Sequence, residues 1–156
     1  MGLDMYLEKR TYVKHWEHKG DANYEITVAK HGNPVPSIKP KRIKYVIEEV
    51  GYWRKANHIH KWFVDNVQDG KDDCGEYYVS DQKLKELLEV CKTVLEDNSK
   101  AKELLPTQSG FFFGATQYDE YYIRDIQDTV KIIEDLLAEV DENGYMDGDV
   151  YYSSSW

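Results

Sequence analysis

The stretch that decides most about the fold runs from residue 51 to residue 64 and reads Gly51-Tyr52-Trp53-Arg54-Lys55-Ala56-Asn57-His58-Ile59-His60-Lys61-Trp62-Phe63-Val64. With about 100° of rotation per helical residue, the apolar side chains from Trp53 onward recur on one face, which predicts an amphipathic helix beginning at Trp53. Asn57 and His60 fall on or beside that face, where polar groups need hydrogen-bond partners or a function. His58 and Trp62 fall on the opposite face and are expected at the surface.

Helical periodicity recurs in two later segments. A second helix is expected to begin at Ser80 or Asp81 and to stop at Asn98, because its apolar residues follow i, i+3, i+4, i+7 spacing. A third is expected to begin at Thr116, where the sequence has capping-box form, and to end at residues 143–144, an Asn-Gly pair.

Shorter segments show the spacing of strands. Residues 3–8 and 24–28 alternate apolar and polar side chains, and the shorter runs 76–79 and 111–113 also have strand character. Residues 42–50 fit both helix and strand spacing, and we favour a strand that leads into the Trp53 helix. Residues 150–152 form either a final strand or a packed tail. This order of elements predicts an α+β fold, with three main helices packed on a small, mainly antiparallel sheet in one domain spanning residues 1–156.

Composition narrows the function classes. The net charge of −9 disfavours non-specific binding to a phosphate backbone, which requires clustered Lys and Arg. No run of 18 apolar residues and no signal peptide is visible, so we expect a cytoplasmic protein without a membrane segment. The two cysteines suit a reduced compartment, and Cys91 is expected to be a buried thiol.

The first candidate site consists of Asn57 and His60, with Arg54 nearby. Because Asn57 and His60 lie three residues apart on the predicted helix, they project side by side and could hold the polar edge of a ligand. His60 could also act as a general base if another element supplied a carboxylate. The structural alternative is a histidine whose ring packs in the core while its nitrogens bond protein atoms.

The second candidate is the segment from Gln108 to Glu120. Two glycines around the phenylalanines allow close approach of the backbone, and the following helix N-terminus offers free N–H groups to an anion. Asp119 and Glu120 would repel such an anion, so the alternative is a capped helix preceded by core phenylalanines. The segment matches neither a Walker A loop nor a dinucleotide-binding fingerprint, and no cofactor is expected.

A metal site is not expected. His58 and His60 lie two residues apart and point in nearly opposite directions on a helix, so they cannot chelate one ion. The acidic residues at 72–76 and 141–149 do not match an EF-hand loop and are interpreted as solvated loops.

Three stretches of the chain resemble a family of small proteins of bacteriophages and prophages. They are Met1-Gly2-Leu3-Asp4-Met5-Tyr6-Leu7, the stretch 51–64 quoted above, and Gln108-Ser109-Gly110-Phe111-Phe112-Phe113-Gly114 followed by Tyr118-Asp119-Glu120. The resemblance implies a phage accessory protein of the host cytoplasm, and such proteins are often inhibitors or ligand binders. It assigns no activity and no catalytic residue, and its functional content is analogy.

Three functional hypotheses follow. The leading one is a binding protein whose pocket lies between the Trp53 helix and residues 111–120 and holds a small polar or nucleotide-like ligand. The residues expected to contact that ligand are Trp53, Arg54, Asn57, His60, Tyr118 and Glu120. The second hypothesis is an inhibitor that engages a host protein through its acidic surface and exposed aromatic residues such as Trp62. The third is an enzyme that uses His60 as acid or base.

Overall fold

The computed structural model describes residues 2–156 and contains six strands. They are β1 (Asp4–Tyr12), β2 (Ala29–Lys30), β3 (Asn33–Pro34), β4 (Tyr45–Arg54), β5 (Tyr77–Val79) and β6 (Asp149–Ser155). Four of them form an antiparallel sheet in the order β4-β1-β6-β5, while β2 and β3 pair as a separate hairpin. The predicted alternation in β1 is confirmed, since Met5 and Leu7 are fully buried while Asp4, Tyr6 and Glu8 are partly exposed.

The helices are α1 (Asn57–Val67), α2 (Asp81–Glu96), the single turn α3 (Ala101–Leu104) and α4 (Glu120–Leu137). Short 3-10 turns occur at Glu17–Ala22, Pro40–Arg42 and Asn98–Lys100. The long helices α1, α2 and α4 share a core with the buried face of the sheet, so the α+β prediction with three main helices is confirmed. Within residues 2–156, no helix is both long enough and apolar enough to cross a membrane.

Side-chain caps set where two of the helices begin. The hydroxyl of Ser80 accepts a hydrogen bond of 3.2 Å from the backbone of Lys83, as expected for the start of α2. The α4 cap is Asp119, whose carboxylate accepts hydrogen bonds of 3.1 Å from the backbones of Tyr121 and Tyr122. The last helix was predicted to begin at Thr116 and to end at residues 143–144. Both ends were wrong, because α4 begins at Glu120 and ends at Leu137.

The stretch 51–64 divides between two elements. The strand interpretation of residues 42–50 is confirmed for residues 45–50, whereas Arg42 ends a 3-10 turn; β4 continues to Arg54, and α1 begins only at Asn57. Trp53 was assigned to the helix wrongly, because it pairs with Met5 of β1 and its side chain lies in the core. Lys55, with a φ of 59°, turns the chain between strand and helix. Pairing with β1 thus overrides the helical spacing of the apolar residues.

Two predicted strands are absent from the described chain. Residues 24–28 join no sheet, and only Ala29–Lys30 pairs with Asn33–Pro34. Residues 111–113 form a turn, in which Phe111 is 95% exposed and Phe113 is buried. Periodicity shows which side chains share a face. It does not show whether a neighbouring strand is present for the segment to pair with, and a β-strand requires one. In contrast, residues 150–152 belong to β6, which lies inside the sheet between β1 and β5.

Candidate functional site

Asn57 anchors the loop that precedes α4. Its side chain is buried, and its Nδ2 donates hydrogen bonds of 2.9 Å to the carbonyls of Phe113 and Ala115. Its Oδ1 accepts a 2.9 Å hydrogen bond from the backbone N–H of Gln108. Three hydrogen bonds to the protein occupy the amide, so Asn57 positions the loop and does not present a free edge to a ligand.

His60 lies in the centre of the core with an exposure of 0%. Its Nδ1 is 2.7 Å from the hydroxyl of Tyr152, and its Nε2 is 2.9 Å from the Asp72 carboxylate. Because a carboxylate only accepts hydrogen bonds, the Nε2 of His60 carries a proton and donates a hydrogen bond to Asp72. Trp156 donates to the other oxygen of Asp72 at 3.0 Å. This network, which is buried at His60 and Tyr152, ties α1 to β6 and matches the structural alternative for His60.

The remaining residues of the predicted ligand-binding set are dispersed. Trp53 is buried, and its Nε1 donates a 2.9 Å hydrogen bond to Thr129, so the ring is closed to a stacking ligand. Tyr118 is 37% exposed and accepts a hydrogen bond from the backbone of Thr107. Glu120 is exposed in the first turn of α4, and Arg54 is exposed beside Asp4, with 3.5 Å between their charged atoms.

Trp62 was expected at the surface, but only 7% of it is exposed. His58 was expected there too, and it is also buried. Both predictions were wrong because the sheet covers one side of α1, while α2 and α4 pack against other sides. An isolated amphipathic helix would leave one face in water, whereas α1 is covered nearly all round.

A cleft of about 230 Å³ opens beside the first turn of α1, and we call it the α1–α4 cleft. Its walls come from residues 54–58, from the loop of residues 107–117 and from the first two turns of α4. The side chains that give it chemical character are Arg54, Lys55, His58, Asp119, Tyr121 and Asp125. Of the predicted binding residues, Arg54 and Asn57 line this cleft, whereas Trp53, His60, Tyr118 and Glu120 do not.

His58 is the unusual member of the cleft wall. It is 3% exposed, and its ring lies against Tyr122 with 4.2 Å between the centroids. Its Nε2 is buried without a hydrogen-bond partner among the described residues. Burial lowers the pKa of His58 to about 4, and the backbone of Tyr122 favours the charged form more weakly. An unpaired buried nitrogen costs about 1–3 kcal/mol, so its retention requires an explanation.

Asp125 places a carboxyl group with a raised pKa in the same cleft. Burial and, to a smaller extent, the neighbouring carboxylates Asp128 and Asp119 raise the pKa of Asp125 to about 7. Within residues 2–156 no cation forms an ion pair with it. A carboxyl group with a strongly perturbed pKa in a cleft is typical of functional sites.

The opposite wall is electropositive. The residue before α1 is Ala56, whose methyl group cannot accept a hydrogen bond and so cannot cap the helix. N–H groups of the first turn therefore remain free. Arg54 and Lys55 precede this uncapped end, which favours anions. Lys55 occupies a left-handed backbone conformation, and Gly114, at a φ of 85°, packs so closely that an added Cβ would lie 3.0 Å from the Cβ of Lys55. Such backbone strain clusters at ligand sites.

The sequence analysis did not select His58, Lys55 or Asp125. A signal for Asp125 was present, because it follows Tyr122 by three residues and therefore borders the apolar face of α4. No corresponding signal marked His58, since its burial depends on the packing of α4 against α1. For metals, the described chain contains no cluster of three or more His, Cys, Asp or Glu residues arranged to hold an ion.

Comparisons of the chain with protein-family models, with curated proteins and with solved structures give no match. The resemblance to small phage and prophage proteins therefore stays a prediction, and a function must be argued from the geometry of this chain alone.

Proposed function

We propose that the protein binds a small polar ligand in the α1–α4 cleft. The observation that carries this proposal is His58, which lines the cleft while its buried Nε2 has no hydrogen-bond partner among the described residues. A ligand that hydrogen-bonds to this nitrogen would remove a penalty that the free protein bears. Because the ring is neutral at pH 7, it can meet either a donor or an acceptor of the ligand, depending on its tautomer.

The charges around the cleft suggest the chemistry of the ligand. A carboxylate or phosphate group would lie toward Arg54, Lys55 and the uncapped start of α1. A hydroxyl or amino group would lie toward Asp125 on the other side. The ligand would thus carry one anionic end and one hydrogen-bond-donating end.

The volume of the cleft favours a compact ligand. Pockets for drug-sized molecules are usually about 300–1,000 Å³, and this cleft measures about 230 Å³. An amino acid, a hydroxy acid or a sugar phosphate is therefore favoured over a complete nucleotide, which narrows the ligand class expected from the sequence.

Binding is favoured over catalysis by the positions of the titratable groups. His60, the acid or base expected from the sequence, has both ring nitrogens engaged by protein side chains and lies outside the cleft wall. A general base must come within hydrogen-bond distance of its substrate, and His60 is closed to solvent.

The proposal is tested by thermal unfolding against inorganic phosphate and a panel of amino acids, hydroxy acids and sugar phosphates. A ligand at 100 times its Kd adds about 2.7 kcal/mol, which for this chain length raises Tm by about 5–10 °C. Arg54→Gln should reduce the shift, because it removes a cation from the cleft. Lys61→Gln is the matched control, since Lys61 pairs with Asp65 outside the cleft.

A panel without any shift would contradict the proposal. So would a shift that Arg54→Gln and His58→Leu leave unchanged, because the ligand would then bind elsewhere.

A further inference from the structure

The strand β4 is an open edge of the main sheet. It is ten residues long and pairs with β1 on one side, while no strand of the described chain pairs with its other side. Long edge strands are usually protected by Lys, Pro or an inward-pointing charge, because unpaired N–H and C=O groups accept a further strand. The sequence of β4 contains neither Lys nor Pro, and its one bulge, at Val50, leaves residues 45–49 regularly paired with β1.

The open strand also exposes apolar surface. Tyr45 is 51% exposed, Ile47 is 55% exposed and Tyr52 is 45% exposed. Exposed apolar side chains in a row along an unpaired strand mark a surface for association.

A groove of about 510 Å³ runs between β4 and α4, and we call it the β4–α4 groove. Its apolar lining includes Val50, Ile132 and Leu136. Its acidic lining consists of Glu48, Glu49, Asp128, Asp135 and Glu139. Strand β4 and helix α4 therefore present hydrogen-bonding, apolar and acidic groups to the same space.

The carboxylates of the groove exceed the cations that reach them. Lys131 lies 2.7 Å from Asp135, and Lys9 lies 2.6 Å from Glu139. Glu49 and Asp128 form no ion pair with any described residue. Two lysines do not balance five carboxylates, so the groove attracts positive charge.

We propose that β4 and the β4–α4 groove dock a basic polypeptide segment in extended conformation, which adds to the sheet as a fifth strand. The open strand supplies backbone hydrogen bonds, as in other strand-addition complexes. Lys or Arg side chains at alternate positions lay their aliphatic stems along the half-buried Ile132 and direct their charges to the carboxylates.

A second copy of this chain is the other occupant that an open edge suggests. Pairing β4 with its own copy would bring the acidic pair Glu48 and Glu49 toward the same residues of the partner, and each chain carries a net charge of −9. Charge therefore selects a basic partner.

This docking surface does not depend on the proposed ligand site. The β4–α4 groove and the α1–α4 cleft share no lining residue. It also gives the acidic-inhibitor hypothesis a defined surface, which uses β4 in place of the buried Trp62.

The probe is a fluorescein-labelled peptide of about ten residues that alternates lysine and valine. Its binding is measured by fluorescence anisotropy, and the contacted backbone is located by amide chemical shifts in NMR spectra. Binding with shifts along β4, and no binding of the peptide with glutamate in place of lysine, is the expected result. Two further peptides carry N-methyl groups at either the odd or the even positions. Since only one edge of an added strand faces β4, one of these two should lose binding and the other should keep it.

Protein variants test the charges. Glu49→Lys combined with Asp128→Lys, both at exposed positions, should weaken binding about tenfold. The matched control is Glu96→Lys combined with Glu103→Lys, which makes the same change in net charge at exposed positions outside the groove. Circular dichroism confirms that each variant is folded.

Four results would overturn the proposal. They are no binding of the lysine–valine peptide, equal binding of both methylated peptides, equal weakening by the control pair, and self-association of the protein through β4. The last would assign the surface to a second copy.

Discussion

Two histidines on the same helix, separated by one residue, have opposite surroundings. His60 is fully buried, and both of its ring nitrogens are held by Tyr152 and Asp72. His58 is nearly as buried, yet its Nε2 has no partner among the described residues and the residue lines a cleft. Burial alone therefore does not distinguish a structural histidine from a candidate functional one. The distinction depends on whether each ring nitrogen has a hydrogen-bond partner in the protein.

The largest effect on the free energy of unfolding is expected from a substitution of His60. His60→Ala leaves a cavity and removes the partner of the buried Tyr152 hydroxyl and of Asp72, so the free energy of unfolding should fall by about 4 kcal/mol. Urea unfolding measures this change. His18→Ala, at an exposed position, is the control and should change the stability by less than about 0.5 kcal/mol. A loss at His60 as small as at His18 would show that the network contributes nothing.

A pH titration should separate His58 from Asp125. The folded-state pKa of His58 is about 4, below its usual 6.5, so between these values the unfolded chain binds more protons and stability falls as the pH is lowered. The folded-state pKa of Asp125 is about 7, above its usual 3.8, so in that window stability rises as the pH is lowered. The two contributions oppose each other in the natural protein.

Asp125→Asn removes the contribution of Asp125 to the pH dependence of stability, so that the contribution of His58 can be measured. Its free energy of unfolding should fall by up to about 3 kcal/mol between pH 6.5 and pH 4, relative to the double variant with His58→Leu. Chemical unfolding at a series of pH values gives both curves, and parallel curves for the two variants would refute the assignment to His58.

Asn57 is a third buried polar residue of α1, and its side chain holds the loop beside the cleft. Asn57→Ala removes three hydrogen bonds to Phe113, Ala115 and Gln108, and the free energy of unfolding should fall by about 2 kcal/mol. Hydrogen exchange should become faster in residues 108–115, where this side chain holds the backbone. Asn66→Ala, which removes one side-chain hydrogen bond to Trp62 within α1, is the control and should leave that loop unchanged.

The smallest effect on stability is expected at His58 itself. His58→Leu exchanges an unpaired polar ring for an apolar side chain of similar size, so stability should change by less than about 1 kcal/mol or increase slightly. Ligand affinity in the cleft should nevertheless fall if Nε2 is a binding group. A loss of stability as large as at His60 would mean that His58 has protein partners and a structural role.

The site was only partly predictable from the sequence. The helix predicted from Trp53 onward correctly marked Asn57 and His60 as buried polar groups, and the interpretation of His60 as a structural histidine was among the alternatives. The partners of His60 lie 12 and 92 residues away, and local spacing carries no information about such distant contacts. His58 was missed for the same reason, because α4 covers a face of α1 that is polar in sequence.

By itself, the sequence determined the elements whose pattern is local. The alternation of Met5 and Leu7 predicted β1, while i, i+3, i+4, i+7 spacing after Ser80 predicted α2, and together with the later helix these elements define the α+β class. Only the tertiary structure decided that Trp53 belongs to a strand, that β4 is an open edge and that His58 lacks a partner. The physical reason is that periodicity reflects which side chains are buried together along one segment, whereas strand pairing and hydrogen-bond satisfaction depend on segments distant in the chain.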